Sequence, residues 1–208
     1  MEQIAQAPVT VSLIIANVLI SIAAWQSEPM LNRGLFHIGP MRQLGQWDRG
    51  ITSGFLHGSG GHLFMNMYVL WIFGSLLEHP QVLGSVNFAI IYAVSLIGGS
   101  AWSYMENFRN LDYRALGASG AVSGVVLSFC MFAPLATLSL FFAIPMPAVV
   151  FAVGFIAISA MLAQNDNRII GHEAHLGGAL AGAITTILLV PSVWPRFIRQ
   201  VSSALGLG

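Results

Sequence analysis

The chain has 208 residues, 56% of them hydrophobic and only 8% charged, whereas a soluble domain carries about 25% charge. That excludes a soluble globular or a disordered protein and predicts one integral membrane domain over residues 1–208. Eight arginines, no lysine and eight acidic residues give zero formal net charge, which argues against a nucleic-acid partner or an acidic substrate.

Charges punctuate the chain. Residues 3–27, 50–77, 79–105, 115–165 and 174–195 contain no Asp, Glu, Lys or Arg. A spanning helix needs about 20 apolar residues, so 115–165 is long enough for two. Six helices are expected, at about 9–26, 61–78, 84–104, 117–133, 146–163 and 172–190. The first lacks the basic flank of a signal peptide and is read as a retained span. Residues 27–60 carry Trp47, Pro29, Pro40 and Arg33, Arg42 and Arg49. They read as a long first loop resting in the membrane interface. The single cysteine, Cys130, falls in the fourth helix and reads as a packed thiol. Pro134, Pro145 and Pro147 mark the turn into the fifth helix. The tail from Arg196 reads as short.

Polar residues converge at one membrane face. The second, fourth and sixth helices run the same way through the bilayer. His62 and Asn66 lie in the first turns of the second, Ser119 opens the fourth, and His175 lies in the first turn of the sixth. Ser119 stands roughly 7–8 Å along the chain axis beyond Arg114, inside the membrane yet near its surface. Gly120-x-x-x-Gly124 and Gly178-x-x-x-Gly182 follow the two polar residues, and small residues four apart let backbones approach. These stripes are assigned to a contact between the fourth and sixth helices. Pairing between two copies is the other use of such stripes, and the oligomeric state is left open.

A polar side chain in lipid is costly and therefore a functional candidate. A serine hydroxyl needs an adjacent base to act as nucleophile, and His175 can supply it. No carboxylate stands obviously behind His175, so a dyad is expected. His62 and Asn66, one turn apart, and the Ser119 backbone N–H can donate to the oxyanion of a tetrahedral intermediate.

The run His57-Gly58-Ser59-Gly60-Gly61-His62-Leu63-Phe64-Met65-Asn66 resembles the HGxxxHxxxN signature of rhomboid intramembrane serine proteases. Gly117-Ala118-Ser119-Gly120 resembles their GxSG motif, and His175-Leu176-Gly177-Gly178-Ala179-Leu180-Ala181-Gly182 their last helix. Trp71-Ile72-Phe73-Gly74 and Glu78 suit the family's second helix. The resemblance covers about 45–190. It implies an all-α, six-helix rhomboid-like bundle, with Ser119 as nucleophile and His175 as base. Transmembrane protein substrates would be cut within the lipid bilayer, with no cofactor and no metal. His57 and His172 take supporting roles. Trp47-Asp48-Arg49 departs from the family's Trp-Arg, and a loop-anchoring role is carried to Trp47 and Arg49. Residues 164–168 resemble the family's cap loop, and the fifth helix its lateral gate.

Two other readings stand beside this one. His57, His62, His172, Glu173 and His175 invite a metal-dependent hydrolase, but His172-Glu173-Ala174-His175 lacks the HExxH spacing that zinc proteases use. A client-binding relative without catalysis is the second. On orientation, six of the eight arginines lie on the side of the first, third and fifth loops, which would place that side in the cytoplasm. The resemblance implies the reverse, a bacterial inner membrane with the active site facing the extracytoplasmic side, and that is the expectation taken.

Overall fold

The computed structural model describes residues 7–140, 144–153 and 172–207. Helices dominate: α1 (Pro8–Trp25), α2 (Glu28–Gly34), α3 (Ile38–Leu44), α4 (Arg49–Thr52), α5 (Gly60–Glu78), α6 (Gly84–Asn107), α7 (Ser119–Phe132), α8 (His172–Leu189) and α9 (Val193–Ala204). Two short antiparallel ladders join them, β1 (Phe36–His37) with β2 (Arg114–Ala115), and β3 (Thr137–Leu140) with β4 (Ile144–Pro147). Helices α1, α5 and α6 are long and apolar enough to cross a membrane. The shorter α7, 14 residues, spans about 21 Å at 1.5 Å per residue. It is predominantly apolar.

Local chemistry sets the helix starts. Pro8 enters the first turn of α1, where a missing N–H costs nothing. Ser59 caps α5 by accepting from the His62 N–H at 3.2 Å. Helix α7 begins at Ser119 with no side-chain cap, which leaves its first N–H groups facing the site.

The central packing is between α6, α7 and α8. A Cβ on Gly178 would strike the Gly120 carbonyl oxygen, and one on Gly182 would stand 2.5 Å from Gly124 Cα. The pairs 120–178 and 124–182 advance together, so α7 and α8 run parallel, backbone against backbone. On the other side of α8, Gly98 and Gly99 of α6 meet Ala181 and Ala174, so α6 runs antiparallel. Leu70, Phe88, Ile91 and Val125 centre the apolar core against α1.

Three features differ from the sequence expectation. The fifth helix was expected from 146, but Ile144–Pro147 pairs as a strand with Thr137–Leu140, and helix begins at 148 and is described to 153. An extended backbone suits residues before proline, and Pro145 and Pro147 sit in alternation there. The remainder of that expected helix and the cap segment 164–168 lie outside the described residues. The stretch after α1 folds into α2, β1, α3 and α4. The tail forms α9, bent 110° from α8.

Candidate active site

Ser119 opens α7 and His175 lies in the first turn of α8. The glycine contacts bring these parallel helices close enough for the two side chains to meet. His175 Nε2 lies 2.7 Å from Ser119 Oγ, a short hydroxyl–imidazole hydrogen bond. Both residues are half-buried. Ser123, one turn on, donates to the Ser119 carbonyl at 2.6 Å. The Glu173 Oε2 accepts from Tyr113 OH at 3.3 Å. Burial, with the charge of Glu173, pushes the Tyr113 phenol well above its ordinary range.

Helix α5 supplies the other two predicted residues. Gly117 has φ of +124°, which glycine alone adopts freely. A Cβ there would stand 2.8 Å from His62 Cε1 and 3.6 Å from Ser119 Oγ. The His62 ring and the Ser119 hydroxyl therefore share the space above Gly117. Asn66 is buried, and its Nδ2 donates to the His62 carbonyl at 3.0 Å. Its amide keeps one N–H beyond that bond, and it lines a cavity of about 170 Å³ together with Ser119, His175, Met65, Val122 and Phe151. A second, tighter cavity of about 30 Å³ lies behind Ser119 against Ser53, Ser100 and Ser103, enough for about one water.

His57 sits behind the loop before α7. Ser21 donates to the Phe55 carbonyl at 3.0 Å and stands 3.0 Å from His57 Nδ1. With the single hydroxyl proton committed to that carbonyl, Nδ1 carries the ring proton and donates to Ser21. Nε2 is then the acceptor, and it faces the Ala118 N–H at 3.5 Å. Trp25 donates to the His57 carbonyl at 2.7 Å. Burial, and next the neighbouring His62, lower His57 to about 4, so it is neutral and tied to α1 on one side and the loop before α7 on the other. The Ser21 and Trp25 contribution was missed because a lone serine in an apolar helix reads as packing. Their i, i+4 spacing on one face was the available signal.

The segment after α1 is anchored by Arg49, buried, whose Nη1 donates to the Asn32 and Leu35 carbonyls at 2.8 Å and whose Nε donates to Gln46 at 2.8 Å. Trp47 stacks at a tilt on Tyr104 of α6, centroids 5.3 Å apart. The β1–β2 ladder and the Gly117 N–H to Ser53 carbonyl bond, 3.0 Å, tie this segment to the loop before α7. His172 is the first residue of α8. Among the described residues, no three His, Cys, Asp or Glu side chains gather into a metal-binding group.

Residues 44–192 match the model of the rhomboid domain. The chain is 31% identical over 196 residues to RHOMBOID-like protein 12, mitochondrial, of Arabidopsis thaliana, covering 85% of this chain and 56% of the relative. It is 36% identical over 158 residues to Rhomboid protein 1, mitochondrial, of Saccharomyces cerevisiae, covering 74% and 45%. With the human presenilin-associated rhomboid-like protein, mitochondrial, it shares 34% over 139 residues, covering 64% and 35%. The chain thus spans between about a third and just over half the length of these curated relatives. The chain belongs to the rhomboid family, and this membership supports an intramembrane-protease-like function. The relatives also correct one expectation. They are mitochondrial proteins by name, which points to a mitochondrial membrane and overturns the bacterial inner membrane and, with it, the extracytoplasmic placement of the site.

Proposed function

We propose that this protein is an intramembrane serine endopeptidase of a mitochondrial membrane, acting on transmembrane segments of other proteins. The observation that carries the reading is the 2.7 Å contact between Ser119 Oγ and His175 Nε2 at the head of two parallel helices. The described helices α1, α5, α6, α7 and α8 supply five spans of the six-helix rhomboid-like core this reading requires.

The Ser119 hydroxyl adds to the scissile carbonyl carbon as its proton passes to His175 Nε2. The carbonyl oxygen becomes an oxyanion, to which the Ser119 backbone N–H, His62 and the remaining Asn66 N–H donate. The intermediate collapses, His175 returns the proton to the leaving amine, and an acyl-enzyme remains. A water then repeats the sequence, with His175 again the base, and frees the acid. The cavity behind Ser119 has the volume to hold that water. The apolar cavity between α5 and residue 151 accepts a substrate side chain arriving from the lipid. A helical peptide bond is shielded by its own hydrogen bonds, so helix-weakening residues near the cut favour cleavage.

The test is a paired incubation of wild type and Ser119→Ala in liposomes with a single-span substrate and a fluorophosphonate probe. Cleavage and labelling lost only in the variant, and indifferent to chelator, establish the serine protease. Cleavage retained in Ser119→Ala, or absent from folded wild type, overturns it.

A further inference from the structure

One face of α6 and the segment after α1 enclose a pocket that plays no part in the dyad. Its volume is about 400 Å³, and Trp47, Ile51, Ile97, Ala101, Tyr104 and Met105 line it. Polar surface is nearly lacking, and the Ser100 hydroxyl that borders it is already spent on the Gly50 carbonyl at 2.6 Å. Below it, Val86, Ile90, Val94 and Ile97 continue down α6 as one exposed stripe at helical spacing. The pocket is the upper end of an apolar lane long enough for an acyl chain.

Two guanidiniums stand at the head of this lane. Arg42 follows the pocket residue Met41, donates to the Phe108 carbonyl at 2.6 Å and lies 5.9 Å from the Phe108 ring centroid. Arg109 lies 5.3 Å from the same centroid. Both are exposed, and Arg109 stands four residues, about one turn or roughly 5 Å, beyond Met105. Among the described residues neither makes an ion pair; the one such pair is Arg33 with Asp48. Among the described residues, the carboxylates near them in sequence, Glu106 and Asp112, pair with neither arginine. Two cations gathered on one ring repel each other, and the carbonyl ends of α6 account for only one contact of one of them.

We propose that this lane binds an anionic phospholipid of the surrounding bilayer, one acyl chain under Trp47 along α6 and the phosphate between Arg42 and Arg109. Charge complementarity selects the headgroup: a zwitterionic lipid brings its own cation to a mouth already carrying two. The bound lipid braces α3 and α4 against α6. It also accounts for two of the arginines that crowd this side of the chain.

Trp47 reports directly on the lane. The protein is reconstituted in phosphatidylcholine vesicles holding a minor share of phosphatidylglycerol, with bromine on the acyl chains of one lipid or the other. The Trp47 signal is the difference between wild type and Trp47→Phe, which removes Trp194 and the other tryptophans from the reading. Expected is an enrichment of the anionic lipid at Trp47 of about fivefold or more over its bulk share, lost in Arg42→Gln/Arg109→Gln. Quenching by each lipid in proportion to its bulk share overturns the proposal, as does enrichment that survives the double substitution. If loss of the Phe108 contact impairs folding of the double variant, Arg109→Gln alone reads the same question, with a weakened enrichment expected and an unchanged one overturning the site.

Discussion

Glu78 grips Thr10 twice through one oxygen: its Oε2 accepts from the Thr10 N–H and from the Thr10 hydroxyl, each at 2.7 Å. Its other oxygen accepts from the Val9 N–H and the Ser85 hydroxyl, both at 2.8 Å. A fully buried carboxylate at the end of α5 thus serves the open N–H groups at the start of α1, where negative charge is favoured. Glu78→Ala should cost roughly 3–5 kcal/mol, since it strands several buried donors, and Glu78→Gln should cost less. Unfolding of the reconstituted protein measures both. A cost under about 1 kcal/mol for the alanine would show that α1 docks without this anchor.

The facing glycines make a sharp contrast with glycines elsewhere. Gly182→Ala places a methyl against the Gly124 backbone, which cannot move aside as a side chain can. The helices must part, at about 1–3 kcal/mol, and Ser119 and His175 part with them. Gly61→Ala meets nothing within 4 Å and should gain about 0.5–1 kcal/mol from helix propensity. Thermal unfolding of the two variants should therefore shift in opposite directions. A neutral Gly182→Ala would mean that α7 and α8 are not in backbone contact.

His57 gives the fold an acid-sensitive side. Burial holds it at about 4, against about 6.5 in an unfolded chain. Below the unfolded value the unfolded state binds a proton that the folded state refuses, so stability is greatest above about 6.5 and falls as pH drops toward 4. The full loss is roughly 3 kcal/mol at 1.36 kcal/mol per unit. Unfolding midpoints across this window should fall in wild type and fall less in His57→Gln. Parallel profiles would place the acid sensitivity elsewhere.

Asn66 separates transition-state binding from substrate binding. Removing one oxyanion donor lowers kcat by about a hundredfold or more with little change in KM. Steady-state cleavage by Asn66→Ala is the measurement. An unchanged kcat with a raised KM would move Asn66 from the proposed oxyanion hole to the substrate channel.

The meeting of Ser119 with His175 was legible because membrane helices make polar residues conspicuous and charge-free runs fix their parity. The glycine stripes were legible for the same reason, since spacing alone names the face. Glu78 is legible as the charge that ends an apolar run and as a fit to the family's second helix, but its grip on α1 is not, because nothing local distinguishes a solvated carboxylate from one buried against a distant N-terminus. The β3–β4 hairpin escaped because prolines at 145 and 147 suit both a helix start and an extended edge. Helix α9 escaped because a search for apolar runs passes over a stretch broken by Arg196 and Arg199.

That last helix carries Trp194, Phe197, Ile198, Val201 and Leu205 on one side and Arg196, Arg199, Gln200 and Ser203 on the other. Such a segment floats at a water–lipid boundary. Because it leaves α8 at 110°, it acts as the flange on a post, and α8 is the post. The distance from flange to His175 is then a ruler of roughly 21 Å, fourteen residues from Leu189 at 1.5 Å each. Under the proposed function the cutting point is thereby measured from the far leaflet, and a change in bilayer thickness would raise or lower the near surface past Ser119 and His175 while the pair itself keeps its station.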